Sequence, residues 1–127
     1  MKLWVDDVRE APEGYIWCKS VNEAKEAILE QEERVKILNE KYHIAVENNL
    51  TYYIEQFSGA ISYNTIDLID IDHDAGDFVN DGGDYIKLLD WLEETGRNYP
   101  IRIHSMNPVG IENMRRIIER NGWREVR

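Results

Sequence analysis

From Ser20 onward the chain alternates between two hydrophobic periods, and this alternation limits the fold more than any other feature. Ser20 and Glu23 stand at capping-box spacing, so the serine oxygen can accept from an early helical amide while the glutamate reaches back. Neither Gly nor Pro occurs between Tyr15 and Ser58. Within that stretch Val21, Ala24, Ile28, Gln31, Val35, Leu38, Tyr42, Ala45, Asn49 and Tyr52 recur at steps of three and four, a single stripe on a helical surface. The stripe predicts one or two core-packing helices with a break at Asn48-Asn49. A coiled-coil partner face is the alternative, and the polar Gln31 and Asn49 interrupt it. Gly59 ends the region. Residues 66–72, IDLIDID, then alternate between apolar and acidic apart from the Leu68-Ile69 step, the period of a strand.

The pattern repeats. A polar loop, DFVNDGGD, leads to an amphipathic helix over 84–95 with Gly96 beyond it. Pro100 precedes a strand, IRIHS, and Asn107-Pro108 has the cap-then-proline order of a helix start. That helix runs to Arg120, closes at Asn121-Gly122, and is followed by WREVR as a last short strand. Helix, strand, helix, strand, helix, strand implies a parallel sheet with crossover helices. Ahead of this series, residues 2–6 (KLWVD) and 15–19 (YIWCK) read as strands separated only by the loop 7–14, DVREAPEG. A hairpin is the simple expectation for these two, and the later alternation argues for parallel pairing instead.

A chain of 127 residues with 43 % hydrophobic content fits one domain with one core. Its apolar runs are too short to span a membrane. The N-terminal MKLWVDDVRE carries acids where a signal peptide needs an apolar stretch, so the expected location is cytoplasmic. The single cysteine, Cys18, lies in an apolar strand and reads as a buried inert thiol rather than a nucleophile. The net charge of −10, from 25 acids and 15 bases, argues against a long nucleic-acid backbone as partner, though a short or cyclic nucleotide held through a metal ion is compatible.

In a parallel sheet ligands sit outside the carboxyl ends of the strands. Three strands end in polar clusters: Asp6-Asp7 with Arg9, Asp72-His73-Asp74, and His104-Ser105 with Asn107. Crowded carboxylates repel unless a cation sits among them, and a hard divalent ion takes one to three carboxylates with water and substrate phosphate. Asp6, Asp7 and Asp72 are the metal-ligand candidates; for paired aspartates alone, a cap or a solvated loop is the competing reading. His73 and His104 are candidate acid and base, with Asp74 beside them, and a structural role is the alternative for each. Ser105, Arg9 and Arg102 are candidate phosphate contacts, although Arg102 alternates with Ile101 and Ile103 and fits a surface position as well. Asn107 is a candidate phosphate contact that a helix cap explains more simply. Asp81-Gly82-Gly83-Asp84 reads either as a backbone ligand contact or as a helix-entry turn. No Walker loop, dinucleotide fingerprint or zinc spacing is present.

Asp6-Asp7 and Asp72 resemble the acid pair and phosphoacceptor of two-component receiver domains, and Ser105 their hydroxyl after strand four. More specifically, WVDDVREAPEGYIW, IDIDHDAG, DGGDYIKLLDWL and IHSMNPVGIENM resemble the signature blocks of the cyclic-phosphate processing receiver domain family. The resemblance implies a three-layer, flavodoxin-like, doubly wound sheet of order 2-1-3-4-5. It also implies handling of cyclic phosphates, as 2′,3′-cyclic ends or cyclic nucleotides in RNA repair or defence. Two departures stand out: no helix fits between the first two strands, and no lysine follows strand five as phosphorelay receivers require. Residues 30–62 lie outside the blocks and read as a helical insertion in a single domain, 1–127. The expected function is a metal-assisted phosphoesterase using Mg²⁺ or Mn²⁺ on a cyclic phosphate. The alternatives are a non-catalytic phosphate-binding or protein-interaction module, and a partner-binding role for the insertion.

Overall fold

A computed structural model describes all residues, 1–127. The elements run β1 (Lys2–Val5), β2 (Tyr15–Cys18), α1 (Val21–Glu47), α2 (Thr51–Asn64), β3 (Leu68–Ile71), a 3-10 turn (Gly76–Phe78), α3 (Ile86–Glu94), β4 (Ile101–Ile103) and α4 (Pro108–Asn121). The long glycine-free stretch is two helices. They break where Asn49 takes φ 55°, in the left-handed region that asparagine tolerates. Ser20 caps α1 through the Glu23 amide, and the Glu23 carboxylate reaches back past the cap residue to accept from Lys19 N–H at 2.6 Å, one residue earlier than a capping box requires. Asn107 caps α4 through the Gly110 amide, with Pro108 at its first turn and Gly122 closing it at φ 65°.

The sheet is parallel throughout, in the order β2-β1-β3-β4. β1 and β2 are therefore not a hairpin. The fifth strand expected at WREVR is absent: Glu125 makes a single parallel bridge to Ile101. On the open edge of β4 only Ile101 is paired, accepting from Val126 N–H and donating to Arg124 O.

The expected three layers are also not formed. Leu3, Val5, Cys18, Ile69, Ile71 and Ile101 share one cluster with apolar residues of α1, α3 and α4, and the alternate residues of each strand take no part in it. The physical reason is the direction of the crossovers. Every helical connection, β2 to β3, β3 to β4 and beyond β4, advances the same way across the sheet, so right-handed crossovers put those helices on one face. Only β1 to β2 moves in reverse, and residues 6–14 make that crossing without a helix. The loop is tied to the second face by the indoles, with Trp4 Nε1 donating to Arg9 O at 2.8 Å and Trp17 Nε1 to Asp6 O at 2.7 Å. No helix is long and apolar enough to cross a membrane.

Candidate functional site

Register brings the strand ends level. Val5 lies beside Cys18 on one side and Ile71 on the other, and Ile71 lies beside Ile103. The ladder continues one residue further: Asp6 N–H donates to Cys18 O, Asp72 N–H to Val5 O and His104 N–H to Ile71 O. Asp6, Asp72 and His104 therefore form one row at the carboxyl edge.

Asp6, Asp7 and Asp72 each offer a carboxylate oxygen, all within 4.8 Å of one another. Asp6 is 1 % exposed. Its Oδ1 accepts from Val8 N–H at 2.9 Å and Arg9 N–H at 2.8 Å, and its Oδ2 faces His104 Nε2 at 2.9 Å. Burial pushes the Asp6 carboxyl up, but the two amides and His104 outweigh it and hold Asp6 below its ordinary range. Asp7 moves the other way. Burial, and then the charges of Asp6, Asp72 and Asp77, keep it above its ordinary value despite a backbone hydrogen bond. That repulsion, in an all-oxygen donor set, suits a hard divalent cation, and these three residues could hold one. Gly76 lets Asp7 sit there: at φ 53°, a Cβ on Gly76 would meet Asp7 Oδ2 at 2.1 Å.

The two histidines have different partners. His104 is clamped. Its Nδ1 lies 2.6 Å from Asp70 Oδ1, its Nε2 contacts Asp6, and its ring stacks on Trp4 at 3.8 Å and 4°. His73 instead packs over the start of α4, where its ring lies so close that a Cβ on Gly110 would be 2.4 Å from Cγ and Cδ2. Its Nδ1 is 2.9 Å from Asp74 Oδ1 and 3.4 Å from Asn107 Nδ2, while Nε2 has no protein partner.

Arg9 Nη1 donates to His104 O at 3.4 Å, which sets a cation at the edge of the acids. Ser105 Oγ accepts from Asn107 N–H at 3.1 Å. Asn107 caps α4, as its position before Pro108 suggests. Arg102 is placed elsewhere: half exposed, it lies 4.0 Å from Asp70 in mid-strand rather than at a strand end. Asp81 accepts from Ser20 Oγ at 2.5 Å and Asn22 Nδ2 at 3.0 Å, so the Asp81-Gly82 turn braces the start of α1. Cys18 is buried, and burial followed by Glu23 pushes its thiol up to about 12, which leaves it an inert core group. The largest cavity, about 560 Å³, is at the opposite end of the sheet beside Lys2, Tyr15 and Tyr63 and touches none of these residues.

Sequence reasoning misses Asp70 and Trp4. Asp70 is 1 % exposed, yet it sits in IDLIDID where alternation assigns the acids to solvent. A usable signal is that the strand partner of Asp70 on β1 is an aromatic, Trp4, which is poor company for a solvated carboxylate.

No curated protein and no solved structure matches the chain. The family model described as "Cyclic-phosphate processing Receiver domain" matches residues 1–120. With the parallel sheet and the acids at its carboxyl edge, this match shows that the chain belongs to the cyclic-phosphate processing receiver domain family.

Proposed function

We propose that this domain is a metal-assisted phosphoesterase that opens a cyclic phosphate, a 2′,3′-cyclic end or a cyclic nucleotide. The observation that carries the reading is the Asp6, Asp7 and Asp72 set, three carboxylate oxygens within 4.8 Å at the carboxyl edge of a parallel sheet. Those residues would hold Mg²⁺ or Mn²⁺. When bound, such an ion polarises phosphoryl oxygens and lowers the pKa of a coordinated water. The chain's own groups account for the rest. Arg9 offers a guanidinium to the phosphate at the β4 end of the cluster. Ser105 Oγ, already oriented by the Asn107 amide, retains its hydrogen for a phosphate oxygen. His73 is the candidate for proton exchange: Asp74 orients Nδ1 and leaves Nε2 without a protein partner. His104, with both nitrogens engaged, is better suited to holding Asp6 than to moving a proton. The test is turnover of a panel of 2′,3′-cyclic nucleotides and cyclic dinucleotides with Mg²⁺ or Mn²⁺. No product across the panel and metal series overturns the reading.

A non-catalytic phosphate-binding module is the second reading, favoured by the full engagement of His104. It predicts ligand-dependent melting shifts without turnover. Treatment with acetyl phosphate and mass spectrometry then reports whether Asp72 serves as a phosphoacceptor.

A further inference from the structure

Asp70 is a buried carboxylate in the middle of β3 that the proposed chemistry does not use, and its one close partner is His104. An ionised group without solvent is strongly disfavoured unless paired, so its retention needs a reason. The geometry supplies one. The imidazole is fixed in three ways at once, by Asp70 at Nδ1 (2.6 Å), by Asp6 at Nε2 (2.9 Å) and by the near-parallel Trp4 indole beneath it (3.8 Å, 4°). Arg102 lies 4.0 Å from the outer oxygen of Asp70, half exposed and too far for a hydrogen bond, so the imidazole is the main constraint on that carboxylate.

The consequence falls on Asp6. A carboxylate has about four acceptor positions. The Val8 and Arg9 amides occupy both on Oδ1, and His104 occupies one on Oδ2. One position on Oδ2 remains, and where His104 stands decides which of the two it is. We propose that Asp70 and Trp4 are positioning residues that act through His104 to aim the single free lone pair of Asp6 at the cation. This inference rests on reading Asp6, Asp7 and Asp72 as a cation site. In the row Asp70–His104–Asp6 it is His104 that touches the candidate ligand, the position where loss of a support costs about 10–100-fold in affinity or activity, and Asp70 acts one contact further back.

The test is Mn²⁺ affinity by titration calorimetry on the whole chain, in wild type, Asp70→Ala, Asp70→Asn and Trp4→Leu. Asp70→Ala is expected to weaken Mn²⁺ by up to about tenfold, the lower end of the range for a residue that touches the ligand directly. Asp70→Asn is expected to retain most of the affinity, because the amide still offers Nδ1 a hydrogen-bond partner. Trp4→Leu alters no charge and is expected to weaken binding to a smaller, measurable extent, and it carries the test if Asp70→Ala does not fold. In metal-free protein the His104 ring N–H resonance is protected from exchange in wild type and loses that protection in Asp70→Ala. Wild-type affinity in both Asp70→Ala and Trp4→Leu overturns the proposal. So does equal loss in Asp70→Asn and Asp70→Ala, since charge rather than position is then responsible. Failure of the wild type to bind Mn²⁺ removes the cation site itself, a result distinct from either.

Discussion

Replacing a helical glycine by alanine ordinarily stabilises a protein by about 0.5–1 kcal/mol, because the unfolded chain loses freedom. Gly110 is expected to do the opposite. It lies in the first turn of α4, and an added Cβ would stand 2.4 Å from Cγ and Cδ2 of His73 and 2.8 Å from its Nδ1. These atoms are the root of the ring and not a flexible tip, so relief requires the imidazole to leave its place or α4 to shift. Overpacking of this kind costs about 1–3 kcal/mol. Set against the helix gain, Gly110→Ala should lose about 1 kcal/mol, roughly half a molar in the urea midpoint for a slope of about 2 kcal/mol/M. Gly59, inside α2 with nothing within 4 Å of an added Cβ, is the internal control, and Gly59→Ala should gain about 0.5–1 kcal/mol. Urea titrations followed by tryptophan fluorescence measure all three proteins. In a His73→Ala background the clash disappears and Gly110→Ala should become stabilising, a coupling a double-mutant cycle isolates. Gly110→Ala as stabilising as Gly59→Ala in the wild-type background would refute the claim that His73 is packed against α4.

Asp7→Asn relieves repulsion from Asp6, Asp72 and Asp77, so the metal-free variant should melt above the wild type and lose the wild type's Mn²⁺-dependent rise; calorimetric scans with and without metal decide this. Ser20→Ala removes the oxygen that caps α1, at a cost of about 1 kcal/mol, measurable as a shift in urea midpoint without change of slope. Burial raises Glu32, but the bidentate Arg97 contact and the Tyr99 hydroxyl outweigh it and hold the carboxyl below its ordinary value. Its contribution is therefore present above the ordinary glutamate range and is lost as pH falls through the depressed folded value. Glu32→Gln should lower stability at neutral pH and flatten the acid limb of a stability–pH curve. An unchanged acid limb would count against the pairing.

Much of the fold is legible in the chain because the signals are local. The Ser20 cap on the Glu23 amide, the Asn107-Pro108 start and the Gly122 stop act within a few residues, and each appears where its spacing puts it. The break at Asn49 is legible for the same reason. The convergence of Asp6, Asp7 and Asp72 follows once the strands are taken as parallel, since parallel register makes their carboxyl ends level. The fifth strand fails as a reading because WREVR carries a strand-like composition but makes only one bridge, to Ile101 on the open edge of β4.

Periodicity states how often a chain turns an apolar side inward. It does not state which face of a sheet a residue joins or what waits there. That is why alternation marks Asp70 and Asp72 alike, while the assembled sheet buries one against His104 and turns the other toward Asp7. The sequence by itself determined the helices, four of the five expected strands, their parallel pairing and the acids at the strand ends. Only the tertiary structure decided that three helices share one face, that His73 and His104 take different partners, and that His104 is clamped between two carboxylates. Those outcomes depend on crossover handedness and on contacts between residues as much as 98 apart in the chain, which no local pattern encodes.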